Sequence, residues 1–159
     1  MITRAEAEDL LAREALALDR RDWDGWLALF TEDCSYWMPA WRDEENPTED
    51  PQTELSLIWY QGRHNLEDRV WRVKSGLSVA SVPLMRTSHH VSNILVEGDD
   101  RVAASFAVHV HNAKRRADHV FFGRYEYRLV REGDALKIAE KKILLMNDYI
   151  PAVADFYML

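Results

Sequence analysis

His109 and His111 are the two residues of this chain whose type and spacing come nearest to a metal site. They lie two residues apart in RVAASFAVHVH, where larger apolar residues alternate with small or polar ones as in a β-strand. Side chains two apart on a strand share a face, so both imidazoles could meet one ion. No carboxylate stands beside them at ligand spacing. We therefore interpret the pair as solvated or as part of an interface, ahead of a metal site.

The other reactive side chains give weaker signals. His89 and His90 are adjacent, so on a strand they point to opposite faces, and we expect one of them to be buried and hydrogen-bonded. Cys34 has no histidine at a diagnostic spacing, which favours a packed or surface thiol over a nucleophile. As the single cysteine it also excludes an internal disulfide and a cysteine-held iron–sulfur cluster, which needs at least two thiolates.

The N-terminal third is predicted to be helical. Residues 3–6 match a capping box, and leucines follow at helical spacing, so a first helix should run to about Arg20. Asp22 can cap a second, short helix. A turn is expected over 31–35, and then a short strand, SYWMPA, that ends at Pro39 because proline cannot donate to a sheet.

The rest of the chain is predicted to be mostly antiparallel sheet. TELSLIWY is a strand candidate, LEDRVWRVKS a helix that stops at Gly76, and SVASVPLMRTSHH an extended segment. Four strands follow, in HHVSNILVE, RVAASFAVHVHNA, HVFFGRYEYRLVR and ALKIAEKKILLM, joined by two tight turns, EGDD and REGD, and by the basic KRRAD. The layout is α+β, a single domain over 1–159 with helices packed on one face of a curved sheet.

Composition limits the classes of function. Lys and Arg total 20 against 27 Asp and Glu, a formal net charge of −7, which argues against a nucleic-acid surface. No run approaches the roughly 18 apolar residues of a membrane span, and the N-terminus has no signal-peptide core. We expect a cytoplasmic protein that binds neither nucleic acid nor membrane.

The stretch from Asp50 to Asn93 combines arginines with large aromatic residues. Burial alone does not require that mixture, whereas protein–protein interfaces are enriched in it. Charged residues of both signs stand in the same stretch, so pairs between subunits are possible. The predicted subunit-interface residues are Trp59, Tyr60, Arg63, Glu67, Asp68, Arg69, Trp71, Arg72 and Arg86.

Several segments together resemble one known family. TEDPQTELSLIWY, LEDRVWRVKSG and RTSHHVSN, with YWMP upstream and NDYIP near the end, are similar to the small (beta) subunit of aromatic ring-hydroxylating dioxygenases, most of all the benzoate and anthranilate type. The resemblance implies a cone of the nuclear-transport-factor-2-like (NTF2-like) kind and a structural subunit without catalytic, cofactor or metal residues of its own. It also implies a large (alpha) partner with a Rieske [2Fe-2S] cluster and a mononuclear Fe, reduced by NADH through a reductase. Three large and three small subunits would form a hexamer.

Two other functions remain open from the residues alone. A free-standing isomerase or dehydratase of the same cone fold would need an acid–base group inside the cone, which Tyr36, His90, His109 or Tyr125 could supply if they face inward. No pair among them has a spacing that requires this role, and a shared fold does not confer an activity. A module that binds a small hydrophobic ligand in the cone is the third possibility.

Overall fold

A computed structural model describes residues 1–77 and 82–159. Within these ranges, three helices and six strands follow one another. They are α1 (Arg4–Asp19), α2 (Trp23–Leu27), β1 (Phe30–Pro39), β2 (Ser56–Gln61), α3 (Arg63–Ser75), β3 (Arg86–Glu97), β4 (Arg101–Asn112), β5 (Ala117–Glu132) and β6 (Ala135–Leu145). A 3-10 turn, Phe156–Met158, follows near the C-terminus. Of the predicted extended segment, residues 78–81 lie outside the described ranges.

The six strands form one open sheet in the order β2-β1-β6-β5-β4-β3. All neighbours are antiparallel except β1 and β6, which are parallel. The turn predicted over 31–35 is wrong, because these residues belong to β1. The pairing of β1 with β6 shifts register between Phe30 and Ser35, and this irregularity explains why a strand there has a turn-like composition.

The helix ends follow the local signals in the sequence. The Thr3 hydroxyl accepts a hydrogen bond from the Glu6 backbone N–H, and the Glu6 carboxylate accepts one from the Thr3 N–H, which completes the predicted capping box. Helix α3 begins at Arg63, three residues before the predicted start, and ends at Gly76 in the left-handed conformation, at φ 71°.

Helix α1 packs on β3 and also contacts β6. On β4 the side chains Val102, Ala104, Phe106, Val108 and Val110 are buried, as the alternating pattern predicts. Near the C-terminus, Phe156 stacks on Trp26 with 4.8 Å between ring centroids and closes the space between α2 and the sheet. The predicted α+β cone of NTF2-like architecture is confirmed.

Candidate functional site

A charged pair lies in the interior of the cone. Lys141 Nζ is 2.6 Å from Glu14 Oε1, and the two side chains are 1% and 3% exposed. Glu14 belongs to the stripe of α1 that faces the sheet, between Leu11 and Leu18, and Lys141 lies two residues before the buried Ile143 on β6. Burying both ions costs desolvation energy, so each needs the other and further polar contacts.

Three tyrosines surround this pair. The Tyr127 hydroxyl donates to Glu14 Oε2 at 2.7 Å. The ammonium of Lys141 lies 4.3 Å from the ring centroid of Tyr125, and 5.7 Å from those of Tyr36 and Tyr127. Burial, together with the negative charge of Glu14, raises the pKa of all three hydroxyls well above the ordinary tyrosine value. Burial also lowers the pKa of Lys141, although Glu14 opposes that shift.

A second, partly buried pair lies beside the first. His89 Nδ1 is 2.5 Å from Asp19 Oδ1, and the Asp19 carboxylate also accepts hydrogen bonds from the His89 backbone N–H and the Thr87 hydroxyl. His89 Nε2 is 3.2 Å from the backbone oxygen of Leu159. Burial opposes ionisation of Asp19, but the hydrogen bonds from His89 and Thr87 outweigh it and lower the carboxyl pKa. The expected buried, hydrogen-bonded histidine is thus His89.

These interior groups are closely packed and leave no room for a substrate. The space between Glu14, Lys141, His89 and Tyr125 has no volume for a water-sized molecule. Among the described residues, the Tyr36 hydroxyl is the one buried tyrosine oxygen without a hydrogen-bond partner. An acid–base step needs a substrate atom within hydrogen-bond reach of the catalytic group, and the packing here prevents that approach.

The histidines predicted from strand spacing lie on the outer face of the sheet. His109 is exposed and meets the His90 ring edge to face at 5.3 Å between centroids. His111 Nδ1 is 2.5 Å from Asp118 Oδ1. Of the four residues considered for acid–base work inside the cone, only Tyr36 and Tyr125 face inward. Within 1–77 and 82–159, no three His, Cys, Asp or Glu side chains are grouped to hold a metal ion.

The lone cysteine is part of the core. Cys34 lies on β1 with its side chain buried, and burial raises the pKa of its thiol to about 11. A thiol that stays protonated at neutral pH and has no access to solvent is a poor nucleophile. Of the two predicted alternatives, a packed or a surface thiol, the structure shows the packed one.

The predicted interface residues on helix α3 fall into two groups. Arg63 turns inward, where its Nη1 donates to the Phe30 backbone oxygen at 3.2 Å. Arg69 pairs with the buried Asp155 at 2.8 Å and so holds the C-terminal segment. Burial of Arg69 works against its charge, but the hydrogen bond to Asp155 outweighs that effect and raises the guanidinium pKa. Both arginines thus make contacts within the chain.

The opposite side of α3 is open to solvent. We call it the α3 outer surface, and its residues are Glu67, Asp68, Trp71 and Arg72, all exposed. Trp71 is 59% exposed, which is unusual for the largest apolar side chain. No ion pair joins Asp68 or Arg72 to another described residue. This helix face therefore keeps an aromatic residue and charges of both signs available to a partner.

The remaining predicted interface residues lie elsewhere. Trp59 is on β2, where its ring meets Trp37 edge to face at 6.2 Å between centroids. Tyr60 faces the other way, toward Tyr36, and its half-buried position raises its hydroxyl pKa. Arg86 is exposed at the start of β3. The nine candidates thus lie on α3, on β2 and at the start of β3.

Sequence reasoning did not select the charged residues of the interior. Glu14 lies three and four residues from Leu11 and Leu18, so the leucine spacing already placed it on the buried face of α1. Lys141 is likewise two residues from Ile143 on a strand, which puts both on one face. The signal in the sequence was periodicity, because a charged residue that lies on an apolar stripe is expected to face the core.

No helix in the described part of the chain is long and apolar enough to cross a membrane.

Two dioxygenase subunits are similar to the chain over nearly its whole length. It is 42% identical to toluate 1,2-dioxygenase subunit beta of Pseudomonas putida, covering 98% of both proteins. It is 40% identical to benzoate 1,2-dioxygenase subunit beta of Acinetobacter baylyi, covering 98% of this chain and 94% of that one.

The fold agrees with these similarities. The crystal structure of the beta subunit of benzoate 1,2-dioxygenase from Burkholderia mallei superposes with a TM-score of 0.81 at 35% identity, over 100% of this chain and 99% of that one. The family model for the ring hydroxylating beta subunit matches residues 13–152. The chain therefore belongs to the family of ring-hydroxylating dioxygenase beta subunits.

Proposed function

We propose that this chain is a non-catalytic, structural subunit of a dioxygenase that hydroxylates the ring of a small aromatic carboxylate. The support for the substrate class is the similarity to subunits named for toluate and benzoate dioxygenases. The observation that carries the structural role is the filled interior. Glu14 and Lys141 neutralise each other there, and no space remains for a substrate.

The chemistry is carried by the large subunit in this proposal. That partner binds the aromatic acid, a Rieske [2Fe-2S] cluster and a mononuclear Fe, and an NADH-dependent reductase supplies electrons in the cytoplasm. A Rieske cluster needs two cysteines and two histidines, and this chain has one cysteine, which is buried in the core. The residues of this chain therefore do not fit the cluster. Its own contribution is assembly and stability.

We further propose that the α3 outer surface contacts another subunit in a hexamer of three large and three small chains. Trp71 offers a large rigid contact area, and aromatic residues at the centre of an interface carry much of its binding energy. Asp68 and Arg72 next to it can pair with charges on the partner and fix its orientation. Arg63 and Arg69 act in the same proposal by holding α3 in place.

The experiment is co-expression of this chain with its large subunit, followed by mass determination of the purified complex and a turnover assay with benzoate. We expect a stable complex of three chains of each kind and turnover that depends on the large subunit's iron. A chain that stays apart from the large subunit under these conditions would disprove the structural role.

One substitution separates the structural role from catalysis in the cone. Tyr36→Phe removes the interior hydroxyl that has no partner, while the ring that packs against Trp26 is kept. A structural subunit predicts unchanged turnover of the complex and unchanged or slightly higher stability, since a buried unsatisfied hydroxyl is lost. A hundredfold or larger loss of turnover in the intact complex, typical of losing a general acid or base, would favour an enzyme in the cone.

A further inference from the structure

The ring of His89 lies between two oxygens that accept hydrogen bonds. Its side chain is 2% exposed. Nδ1 is 2.5 Å from Asp19 Oδ1, and Nε2 is 3.2 Å from the backbone oxygen of Leu159. A carboxylate and a backbone oxygen have no proton to donate, so each contact is a hydrogen bond only if the ring nitrogen donates. Both nitrogens donate in the imidazolium alone, so the ring that makes both contacts is positively charged.

The contacts of Asp19 show that it is the ionised partner. Its carboxylate also accepts hydrogen bonds from the His89 backbone N–H at 2.9 Å and from the Thr87 hydroxyl at 3.0 Å. Several donors on one carboxylate stabilise its charged form. Burial opposes that form, but the hydrogen bonds outweigh burial and lower the pKa of Asp19 from 3.8. The alternative, a neutral ring beside a protonated Asp19, would place these donors on an uncharged group.

The two ring protons of His89 are held unequally. The Nδ1 proton lies against a negative charge, whereas the Nε2 proton lies against a neutral backbone oxygen at the longer distance. A ring that loses one proton as the pH rises therefore keeps the proton on Nδ1 and gives up the one on Nε2. The contact that depends on pH is the one with Leu159.

Other ionisable groups near the ring do not replace Asp19. Those that line the filled space beside it are Glu14 on α1, Lys141 on β6 and Tyr125 on β5. Glu14 and Lys141 pair with each other. Burial, together with the charge of Glu14, raises the pKa of Tyr125 well above its ordinary value, so that hydroxyl stays neutral. On β4 the residue opposite His89 is the apolar Val108.

Two polar contacts anchor the C-terminal segment at its two ends. The Asp155 carboxylate pairs with Arg69 at 2.8 Å, and the Leu159 oxygen contacts His89. Between them lies the 3-10 turn whose Phe156 packs on Trp26. An arginine keeps its charge throughout the pH range of a folded protein, and a histidine does not. Of these two anchors, the one at Leu159 therefore responds to pH.

We propose that His89 is a pH-sensitive latch for the C-terminal segment. The imidazolium holds Leu159 beside β3 at lower pH. As the pH rises, Nε2 loses its proton to solvent and turns a lone pair toward the Leu159 oxygen, so that two acceptors face each other and the contact opens. Asp155 stays on Arg69 while this happens. The latch goes beyond the structural role proposed above and does not depend on it.

The test is hydrogen exchange of the full chain, followed by NMR at about pH 6 and about pH 9. Dividing each rate by the intrinsic exchange rate gives a protection factor. The Met158 N–H donates to the Asp155 backbone oxygen at 2.9 Å within the 3-10 turn. Its protection factor should fall by about tenfold or more from the lower to the higher pH, the effect of losing a hydrogen bond from a charged group.

The Phe156 N–H is the control within the same segment. It donates to the Asp155 carboxylate at 2.8 Å, on the side that Arg69 holds. Its protection factor should change by less than about threefold over the same range, since that anchor does not titrate. An equal fall at Phe156 and Met158 would show that the whole segment loosens, and it would contradict a latch at Leu159.

His89→Gln removes the titrating ring, so Met158 protection should be low and independent of pH. His90→Gln is the matched control, because His90 is the next residue on β3 and is exposed on the outer face. It should keep the pH-dependent fall of the wild type. Nitrogen NMR of the wild-type ring gives a second readout if His89→Gln fails to fold. We expect protons on both His89 nitrogens at the lower pH and a bare Nε2 at the higher pH.

Three further results would overturn the latch. They are constant Met158 protection in the wild type, a bare Nε2 on His89 at the lower pH, and loss of the pH dependence in His90→Gln as well as in His89→Gln. Failure of the latch leaves the structural role intact, because that role is tested by assembly with the large subunit.

Discussion

Lys141 and Glu14 form an ion pair of 2.6 Å between β6 and α1, deep in the cone. The contact joins the N-terminal helix to a central strand of the sheet across an apolar interior. The Tyr127 hydroxyl and the face of Tyr125 complete the coordination of the two charges. The cone is therefore closed from within by a charged contact that a ligand would have to displace.

Glu14→Gln should be strongly destabilising. It leaves the Lys141 ammonium buried without a counter-ion, which costs about 3–5 kcal/mol in comparable buried pairs. Lys141→Met with Glu14→Leu removes both charges and should be less destabilising than Glu14→Gln alone. Urea unfolding, followed by tryptophan fluorescence, measures the free energy of unfolding of both variants.

The matched control is Glu8→Gln, also on α1. Glu8 pairs with Arg4, and the two side chains are 45% and 73% exposed. Loss of such a surface pair should change the free energy of unfolding by less than about 1 kcal/mol. A cost for Glu14→Gln no larger than that of Glu8→Gln would contradict the energetic role of the buried pair.

The sequence predicted the elements well where local patterns determine them. The period of two from Thr87 onward and the tight turns gave β3 to β6, and Gly76 gave the end of α3. The parallel pairing of β1 with β6 could not be read in this way, because it joins residues about a hundred positions apart. Local composition made 31–35 a turn, and the pairing with β6 overrode it.

The interior site was missed for a different physical reason. Charged residues are usually exposed, so Glu14 and Lys141 were not expected in the core even though their spacing placed them there. Their burial depends on each other across two elements, and no local window contains both. Arg69 was predicted to lie in an interface but contacts Asp155 within the chain. That contact also joins residues far apart in sequence, so local patterns do not reveal it.

Asp19 should make stability depend on acid pH. Its carboxyl pKa is lowered in the folded chain from an ordinary value of 3.8, so the unfolded state binds a proton first as the pH falls. The stability that Asp19 contributes is therefore present above about pH 4 and is lost as the pH falls through the folded pKa. Asp19→Asn should lower the free energy of unfolding by about 2 kcal/mol at pH 7. It should also make that free energy depend less on pH in the acid range.

The control for this dependence on acid pH is Asp9→Asn, on the exposed face of the same helix. Asp9 pairs with Arg13, and both side chains are more than half exposed, 62% and 67% respectively. Thermal unfolding between about pH 3 and pH 7 compares the variants. Parallel stability curves for the wild type and Asp19→Asn would show that the His89 contact does not lower the Asp19 pKa.

Arg69→Met should release the C-terminal segment. Asp155 is 5% exposed on its side chain, and its carboxylate would lose its counter-ion, at a cost of about 3 kcal/mol. Because Phe156 packs on Trp26 just beyond, we expect faster hydrogen exchange over 153–159 and in α2. Arg72→Met, an exposed arginine on the same helix, should leave exchange unchanged. Equal protection in the two variants would contradict the anchoring role of Arg69.

Trp71→Ala tests the α3 outer surface. The side chain is 59% exposed, so its truncation should change the free energy of unfolding by less than about 0.5 kcal/mol. If the surface contacts the large subunit or a second small one, assembly should weaken by about 2 kcal/mol, or roughly thirtyfold, the effect of losing an aromatic hot spot. Sedimentation of the reconstituted complex over a range of concentrations measures the loss.

Raising the salt concentration should weaken the Asp68→Asn complex less than the wild-type complex if Asp68 pairs with a partner cation, since that ion pair is screened.

Leu95→Ala is the control for Trp71→Ala, because Leu95 is a similarly exposed apolar residue, 58%, on β3 and away from α3. Equal assembly of the wild type and Trp71→Ala would remove the α3 outer surface from the interface. A loss shared by Leu95→Ala would instead place the outer face of the sheet in the contact.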